Sequence, residues 1–205
     1  KLPIAIGVVP VNLSDEKYDI SAWDLNCALG SWSWHGCEGK KTKAEVYSRA
    51  DSVELFLNGK SLGKKKLKRC RCTFKVIYEP GVLEAVAYTK TGKEDARTEL
   101  RTASSETILS VLPEKETKEL YFINLRYTDK EGIAKPLEKG RIKMKAEGGE
   151  LLALGNARPL NPEGYQSDST DTYYGEAMAV IRPRGVVKLY VESPCGKQEL
   201  LLDRI

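Results

Sequence analysis

Period-two alternation constrains this chain more than any other feature. Apolar and polar residues exchange places one by one over stretch after stretch, and turn residues interrupt them roughly every ten positions. Successive side chains of a strand point to opposite faces, so such stretches bury one face by pairing into half-covered sheets. Hardly any stretch carries a helical period. The pattern predicts an all-β protein. In the first half the strands fall near 43–48, 52–58, 61–68, 70–78, 82–89 and 94–102. Turns fall at Arg49-Ala50-Asp51, Asn58-Gly59, Glu79-Pro80-Gly81 and Thr91-Gly92. Asn-Gly between alternating runs is a strong hairpin signal, because both residues tolerate φ > 0. Pro-Gly presets φ at its first position and permits φ > 0 at its second, so Pro80-Gly81 marks a tight reversal.

The second half repeats the pattern. Tyr121, Ile123, Leu125 and Tyr127 share one face, and Ile142, Met144 and Ala146 alternate with Arg141, Lys143 and Lys145. Gly148-Gly149 punctuates before Leu151–Leu154, and strands at 177–181, 186–191 and 197–202 close the set. The polar run 102–106 is the best joint. The 205 residues then divide into two domains of about 100 residues each: 1–103, a lead-in segment plus a first sandwich, and 104–205, a second sandwich. Tyr18 and Trp23 give the lead-in, residues 1–30, the character of an extended segment lying on another surface.

Charge is uneven. Residues 1–103 carry 18 Lys and Arg against 13 Asp and Glu. Much of the excess is Lys64, Lys65, Lys66, Lys68, Arg69 and Arg71. No aromatic residue interleaves that run to stack a base, and lysine along a sheet edge guards against edge pairing, so nucleic acid is not an expected partner. No apolar run approaches the ~20 residues of a membrane span. The five cysteines, an odd number at irregular spacing, are not a disulfide framework. Cys70 and Cys72 share parity with Phe74, Val76 and Tyr78 and are expected to point inward as small apolar residues. With one histidine, His35, no metal-ligand spacing exists. No cofactor motif is present, and reduced thiols suggest a cytoplasmic protein, with secretion left open.

Two places could contact a ligand or another domain. Trp32 and Trp34 are two apart, which on a strand puts both on one face. That pair reads as core or interdomain packing, the main use of large aromatics, or as a platform for sugar rings. His35 and Glu38 sit in the turn just after and either cap it or border a sugar pocket. The long polar loop 156–174 carries Asn156, Asn161, Tyr165, Gln166, Tyr173 and Tyr174. It either packs on a neighbouring domain or holds a polar ligand. Most acids (Glu45, Glu54, Glu84) alternate with apolar residues, which marks a solvated face, and no nucleophile elbow appears.

The stretch Ser31 to Gly63, with its tryptophan pair and EGK, the VYS-x-A-D-x-VEL run and the LNGKSLG hairpin, resembles the immunoglobulin-like domain that follows the catalytic barrel in β-galactosidase-like family 2 glycoside hydrolases. YFINLRYTDKEG, GELLALGNARP and YYGEAMAVIRPRG resemble the C-terminal immunoglobulin-like domain of the same enzymes. The resemblance covers residues 31 to 205 and implies two tandem immunoglobulin-like β-sandwiches. It also implies that the chain is a non-catalytic piece of a longer, bacterial enzyme. The parent would hydrolyse terminal β-glycosidic bonds without an organic cofactor, with both catalytic glutamates on a barrel preceding Lys1. No residue here inherits a catalytic role. The implied partners are that upstream barrel, in the same polypeptide, and carbohydrate. A free-standing carbohydrate-binding or adhesin-type module is the alternative. A self-contained hydrolase is the third reading, and it lacks a catalytic constellation.

Overall fold

The structure is a computed structural model, and it describes residues 3–13, 27–116 and 119–202. Tyr18 and Trp23 lie outside the described residues. The chain divides into two compact units, Lys1–Thr102 and Ala103–Ile205. Both are built of antiparallel strands, and among the described residues there is no α-helix, only a short 3-10 turn at Val11–Leu13.

The first unit holds seven strands: β1 Ile4–Val8, β2 Lys41–Ser48, β3 Ser52–Leu57, β4 Lys60–Lys66, β5 Arg71–Ile77, β6 Val82–Tyr88 and β7 Glu94–Arg101. They form a three-stranded sheet, β1-β2-β5, and a four-stranded sheet, β4-β3-β6-β7. Three plus four strands is the count of a constant-type immunoglobulin sandwich. Alternation explains the core. Ala44 and Val46 of β2, Phe74 and Val76 of β5, and Leu55, Leu83 and Ala85 of the second sheet are buried, while their neighbours face out. β4 is exposed throughout and lies at the edge of its sheet, where its lysines discourage a further strand.

Two expectations are corrected in this unit. The start of the lead-in does not lie on another surface. Ile4–Val8 is β1, paired antiparallel with β2 from Ile4↔Ser48 to Val8↔Ala44. Its short IAIGV run has too little polar alternation to be read as a strand without its partner. Cys70 does not point inward either. It is exposed, in the turn before β5, with a φ of 62°, and of the two only Cys72 is buried. Burial pushes the Cys72 thiol up from its ordinary pKa.

The second unit contains β8 Ile108–Glu116, β9 Tyr121–Thr128, β10 Arg141–Gly155, β11 Ser169–Asp171, β12 Glu176–Ser193 and β13 Gly196–Leu202. They form one six-stranded sheet in the order β11-β10-β12-β9-β8, with β13 also on β12. The sequence reads β10 and β12 as two short strands each. In the structure each runs on through a break in register. β10 is 15 residues and β12 is 18. Glu147 pairs with Lys188, but Gly149 pairs with Pro183, so Arg184–Val187 oppose Gly148 alone. Pro183 and Gly185 suit such an irregularity, since proline has no N–H for the ladder and glycine tolerates sharp bends. Beyond this point β12 changes neighbours: Glu176–Ile181 pairs with β9, and Val187–Ser193 pairs with β13. The sheet thus folds over and encloses Leu109, Ile123, Leu125, Ile142, Met144, Ala179, Leu189 and Val191 in one core. Gln198 of β13 donates to the Leu109 carbonyl of β8 at 2.8 Å, tying two edge strands together.

A buried polar cluster fastens the entry to this unit. Asp129 accepts hydrogen bonds from the backbone N–H of Ser104 at 2.8 Å and from those of Glu131 and Ile133 at 2.9 Å each. The buried Lys135 ammonium donates to the carbonyls of Ser105 and Glu106 and to the Thr107 hydroxyl at 2.6 Å, and lies 3.3 Å from the Glu138 carboxylate. Both ions are therefore compensated, which buried charges require.

Candidate functional site

Trp32 and Trp34 are both fully buried, at 0% exposure. They do not sit on a strand. The segment from Ser31 to Trp34 is irregular, and each indole finds its own acceptor: Trp32 Nε1 donates to the Glu79 carbonyl at 2.9 Å, and Trp34 Nε1 to the Ser31 carbonyl at 3.2 Å. The Trp32 ring meets Tyr78 edge-on at 5.0 Å between centroids, and the Tyr78 hydroxyl accepts the Trp34 backbone N–H at 3.0 Å. An indole with no accessible face cannot stack on a sugar. The burial agrees with the reading of the pair as packing and not with a sugar platform, and the shared strand face is corrected, because the chain is irregular there. His35 and Glu38 are exposed in the turn that follows, and a Glu38 carboxylate oxygen accepts the Gly36 N–H at 3.2 Å, which caps that turn.

The other predicted aromatics lie in the second unit. Tyr173 and Tyr174 form an edge-to-face pair with centroids 4.7 Å apart, in the turn before β12. Tyr174 has a φ of 49° and is followed by Gly175, where an added Cβ would lie 2.6 Å from the Lys135 carbonyl oxygen. The turn is thus pressed on the β9–β10 connection, and its tyrosines serve that turn.

Tyr165 is placed differently. Its ring is 51% exposed and forms one wall of a cleft of about 360 Å³. Asn124 of β9, Gly155 of β10, Asn156, and Glu176 and Met178 of β12 line it as well, with small apolar residues between them. The cleft follows from parity. Ala177, Ala179 and Ile181 of β12 turn inward, so Glu176, Met178 and Val180 stand on the outer face. Gly155 admits the ring, since an added Cβ there would come within 2.2 Å of Tyr165 Cδ1. The Leu154 N–H donates to the Tyr165 carbonyl at 2.8 Å and holds the loop to the end of β10.

The loop around Tyr165 is fastened by its own residues. Arg141 grips the Glu163 carboxylate with two bonds of 3.1 and 2.9 Å, and that contact holds the Glu163 carboxyl below its ordinary pKa. Asn156 donates to the Asp171 carbonyl at 2.7 Å, and Asn161 to the Gly164 carbonyl at 2.9 Å. At the cleft rim, Arg126 Nε lies 2.7 Å from the Glu176 carboxylate.

This arrangement can hold a small polar ring against Tyr165, with Asn124 and Glu176 within the lining. It does not supply the two carboxyl groups, about 5 Å apart, of a retaining glycosidase. Glu176 is the one carboxylate in the lining, and it is paired with Arg126. Among the described residues no group of three His, Cys, Asp or Glu could hold a metal ion, and no helix is long and apolar enough to cross a membrane. The loop led to Tyr165 and Asn156 from sequence. Asn124, Glu176 and Met178 were missed, although the alternation of β9 and β12 marks all three as outward-facing.

Two antiparallel β-units in tandem, with most of their acids on solvated faces, define the class of fold. Comparison with known proteins supplies the family. Residues 113–199 match the glycoside hydrolase family 2 C-terminal domain 5, and residues 39–96 match a domain of unknown function, DUF4982. The chain is 29% identical over 147 residues to the β-galactosidase BoGH2A of Bacteroides ovatus, covering 68% of this chain and 17% of that protein. A crystal structure of a glycosyl hydrolase family 2 member from Bacteroides cellulosilyticus superposes with a TM-score of 0.79 at 28% identity, over 97% of this chain and 28% of the other. A β-glycosidase from Bacteroides vulgatus shares the fold, with a TM-score of 0.75 at 23% identity over all of this chain and 25% of the other. The chain corresponds to the C-terminal accessory part of family 2 glycoside hydrolases, and it spans about a sixth of the curated relative's length.

Proposed function

We propose that this chain is the non-catalytic C-terminal region of a β-glycosidase, and that a catalytic barrel precedes it in the same polypeptide. The observation that carries this is the superposition of 97% of the chain on 28% of a family 2 hydrolase. The parent then hydrolyses terminal β-glycosidic bonds, and the two sandwiches brace the barrel and shape its surroundings. The five free cysteines support a cytoplasmic location, with secretion as the alternative. The test is deletion of these residues from the full gene product. The barrel should melt at lower temperature and lose turnover. An equally stable and equally active truncated enzyme would overturn the bracing role.

A second reading is favoured by one feature, the half-exposed Tyr165 ring beside Asn124 and Glu176. It makes the outer face of the second sandwich a sugar contact. Titration of the chain with neutral oligosaccharides, watched through tyrosine fluorescence, tests it. Saturable binding lost in Tyr165→Ala is the expected result, and no binding at millimolar sugar would remove this reading.

A further inference from the structure

We infer that the first sandwich carries an anion-binding cleft that takes the acidic groups of a glycan, uronate carboxylates or sulfate esters. The inference rests on the carbohydrate-related reading above. The cleft has a volume of about 940 Å³ and opens between the start of β1 and two turns. Four cations line it: Arg49 from the β2–β3 turn, Lys68 and Arg69 from the β4–β5 turn, and Arg71 from β5. A single acid, Asp95, stands against them.

The structure sorts the basic run into two sets. Lys64 is spent over the Tyr88 ring, 3.5 Å from its centroid. Lys65 lies 4.7 Å from the Phe74 centroid and donates to the Thr73 carbonyl at 2.7 Å. The cleft cations are different. Arg71 is partly engaged, 3.9 Å from Glu45 and in contact with the Tyr47 hydroxyl. Arg49, Lys68 and Arg69 make no side-chain hydrogen bond or ion pair with described residues. Two turns thus bring three cations without a partner among the described residues to one concavity, beside Arg71, where like charges raise one another's energy unless an anion joins them.

The backbone points the same way. Arg69 and Cys70 have φ of 51° and 62°, inside a turn closed by two Lys68–Arg71 backbone bonds of 2.9 and 3.1 Å. Two consecutive left-handed residues are the province of Asn and Gly. An arginine held there, when Asn-Gly serves the β3–β4 turn of the same unit, is local strain that aims a guanidinium. Guanidinium forks match carboxylate and sulfate oxygens. Nucleic acid fits less well. The lining has one aromatic residue, Tyr47, whose hydroxyl is engaged by the Glu45 carboxylate, and single-strand grooves need successive stacking rings.

The test uses the 205-residue chain with four polyanions: polygalacturonate, dextran sulfate, a single-stranded oligonucleotide and polyglutamate. Neutral dextran is the control. Binding is read by light scattering and titration calorimetry at low and high salt. The two acidic glycans distinguish carboxylate from sulfate, and binding to at least one is expected, weakening as salt rises. The combined variant Arg49→Gln, Lys68→Gln, Arg69→Asn should bind about tenfold more weakly or worse. Asparagine at 69 keeps the left-handed turn, and a melting curve confirms the fold. The variant Lys64→Gln, Lys65→Gln, Lys66→Gln removes the same charge outside the cleft and should bind as before. Equal losses in both variants would reduce the effect to net charge and overturn the cleft. Tighter binding of the oligonucleotide or of polyglutamate would overturn the glycan. Neither result touches the turnover of the full enzyme, so the proposed function stands or falls separately.

Discussion

Asn58 and Gly81 show how two turn motifs, legible as separate signals, become one lock. Asn58 and Gly59 have φ of 51° and 77° in the β3–β4 turn. The Asn58 amide donates to the Pro80 carbonyl at 3.1 Å and accepts the Val82 N–H at 2.9 Å. Gly81 has a φ of 134°, and an added Cβ would fall 1.8 Å from Asn58 Oδ1. Gly81→Ala should therefore cost about 1–3 kcal/mol, from strain and loss of the lock. Asn58→Ala should cost about as much, and the double variant should cost less than the sum, because the sites share one contact. Urea titrations of the three variants measure this, and simple addition would show two independent turns. Trp34→Ala should remove about 3–5 kcal/mol from the isolated chain, since the ring is wholly buried. Asp129 links stability to pH. Burial pushes its carboxyl up, but the backbone N–H groups of Ser104, Ile133 and Glu131, with Lys135, pull it down further, to a net value below the ordinary 3.8. Its contribution is whole above the unfolded value of about 3.9 and is lost as pH falls through the lower folded value. The melting temperature of the second unit should fall on acidification below that point. In Asp129→Asn it should be lower at neutral pH and flatter across the acid range.

At the level of elements, strands and their facing were readable wherever the alternation was local. Six strands of the first unit lie close to their predicted spans, because each carries its own polar and apolar rows. Three things depended on partners distant in sequence. β1 becomes a strand by pairing with β2, about 40 residues on. The tryptophans looked like a strand face, yet their burial is set by Tyr78 and Glu79. β10 and β12 read as four strands, because Gly148-Gly149 and Pro183 resemble chain breaks. Their continuity is a property of the pairing across them. In the candidate cleft Tyr165 was legible as a loop aromatic. Its partners come from three strands, which no local pattern joins. The bend gives a prediction of its own. Gly148 has a φ of 74°, and an added Cβ would lie 2.0 Å from the Val186 carbonyl oxygen. Gly148→Ala should destabilise the second unit by more than a surface glycine such as Gly196→Ala. A smaller loss at 148 than at 196 would mean that the register break is pliable.

For the whole molecule, the division at 102 and 103 has a checkable consequence. Pieces 1–102 and 103–205 should each melt cooperatively. A shorter piece, 108–205, should melt lower, since it strips Lys135 of the acceptors at Ser105, Glu106 and Thr107, leaving it Glu138 alone, and strips Asp129 of the Ser104 N–H. Equal melting of the two versions would show that the entry cluster is dispensable. Each unit buries its own core, and the acids that could serve catalysis are dispersed: Glu84 and Glu94 on Arg97, Glu163 on Arg141, Glu176 on Arg126. Ion-paired, exposed carboxylates make a solvated surface, which suits a region that supports chemistry performed elsewhere. The most direct measurement is turnover of a panel of chromogenic β-galactosides, β-glucuronides and β-mannosides by the purified 205-residue chain beside the full gene product. The chain alone should release no chromophore, and the full polypeptide should release it from at least one substrate. Turnover by the chain alone, abolished by a point substitution within it, would contradict the account.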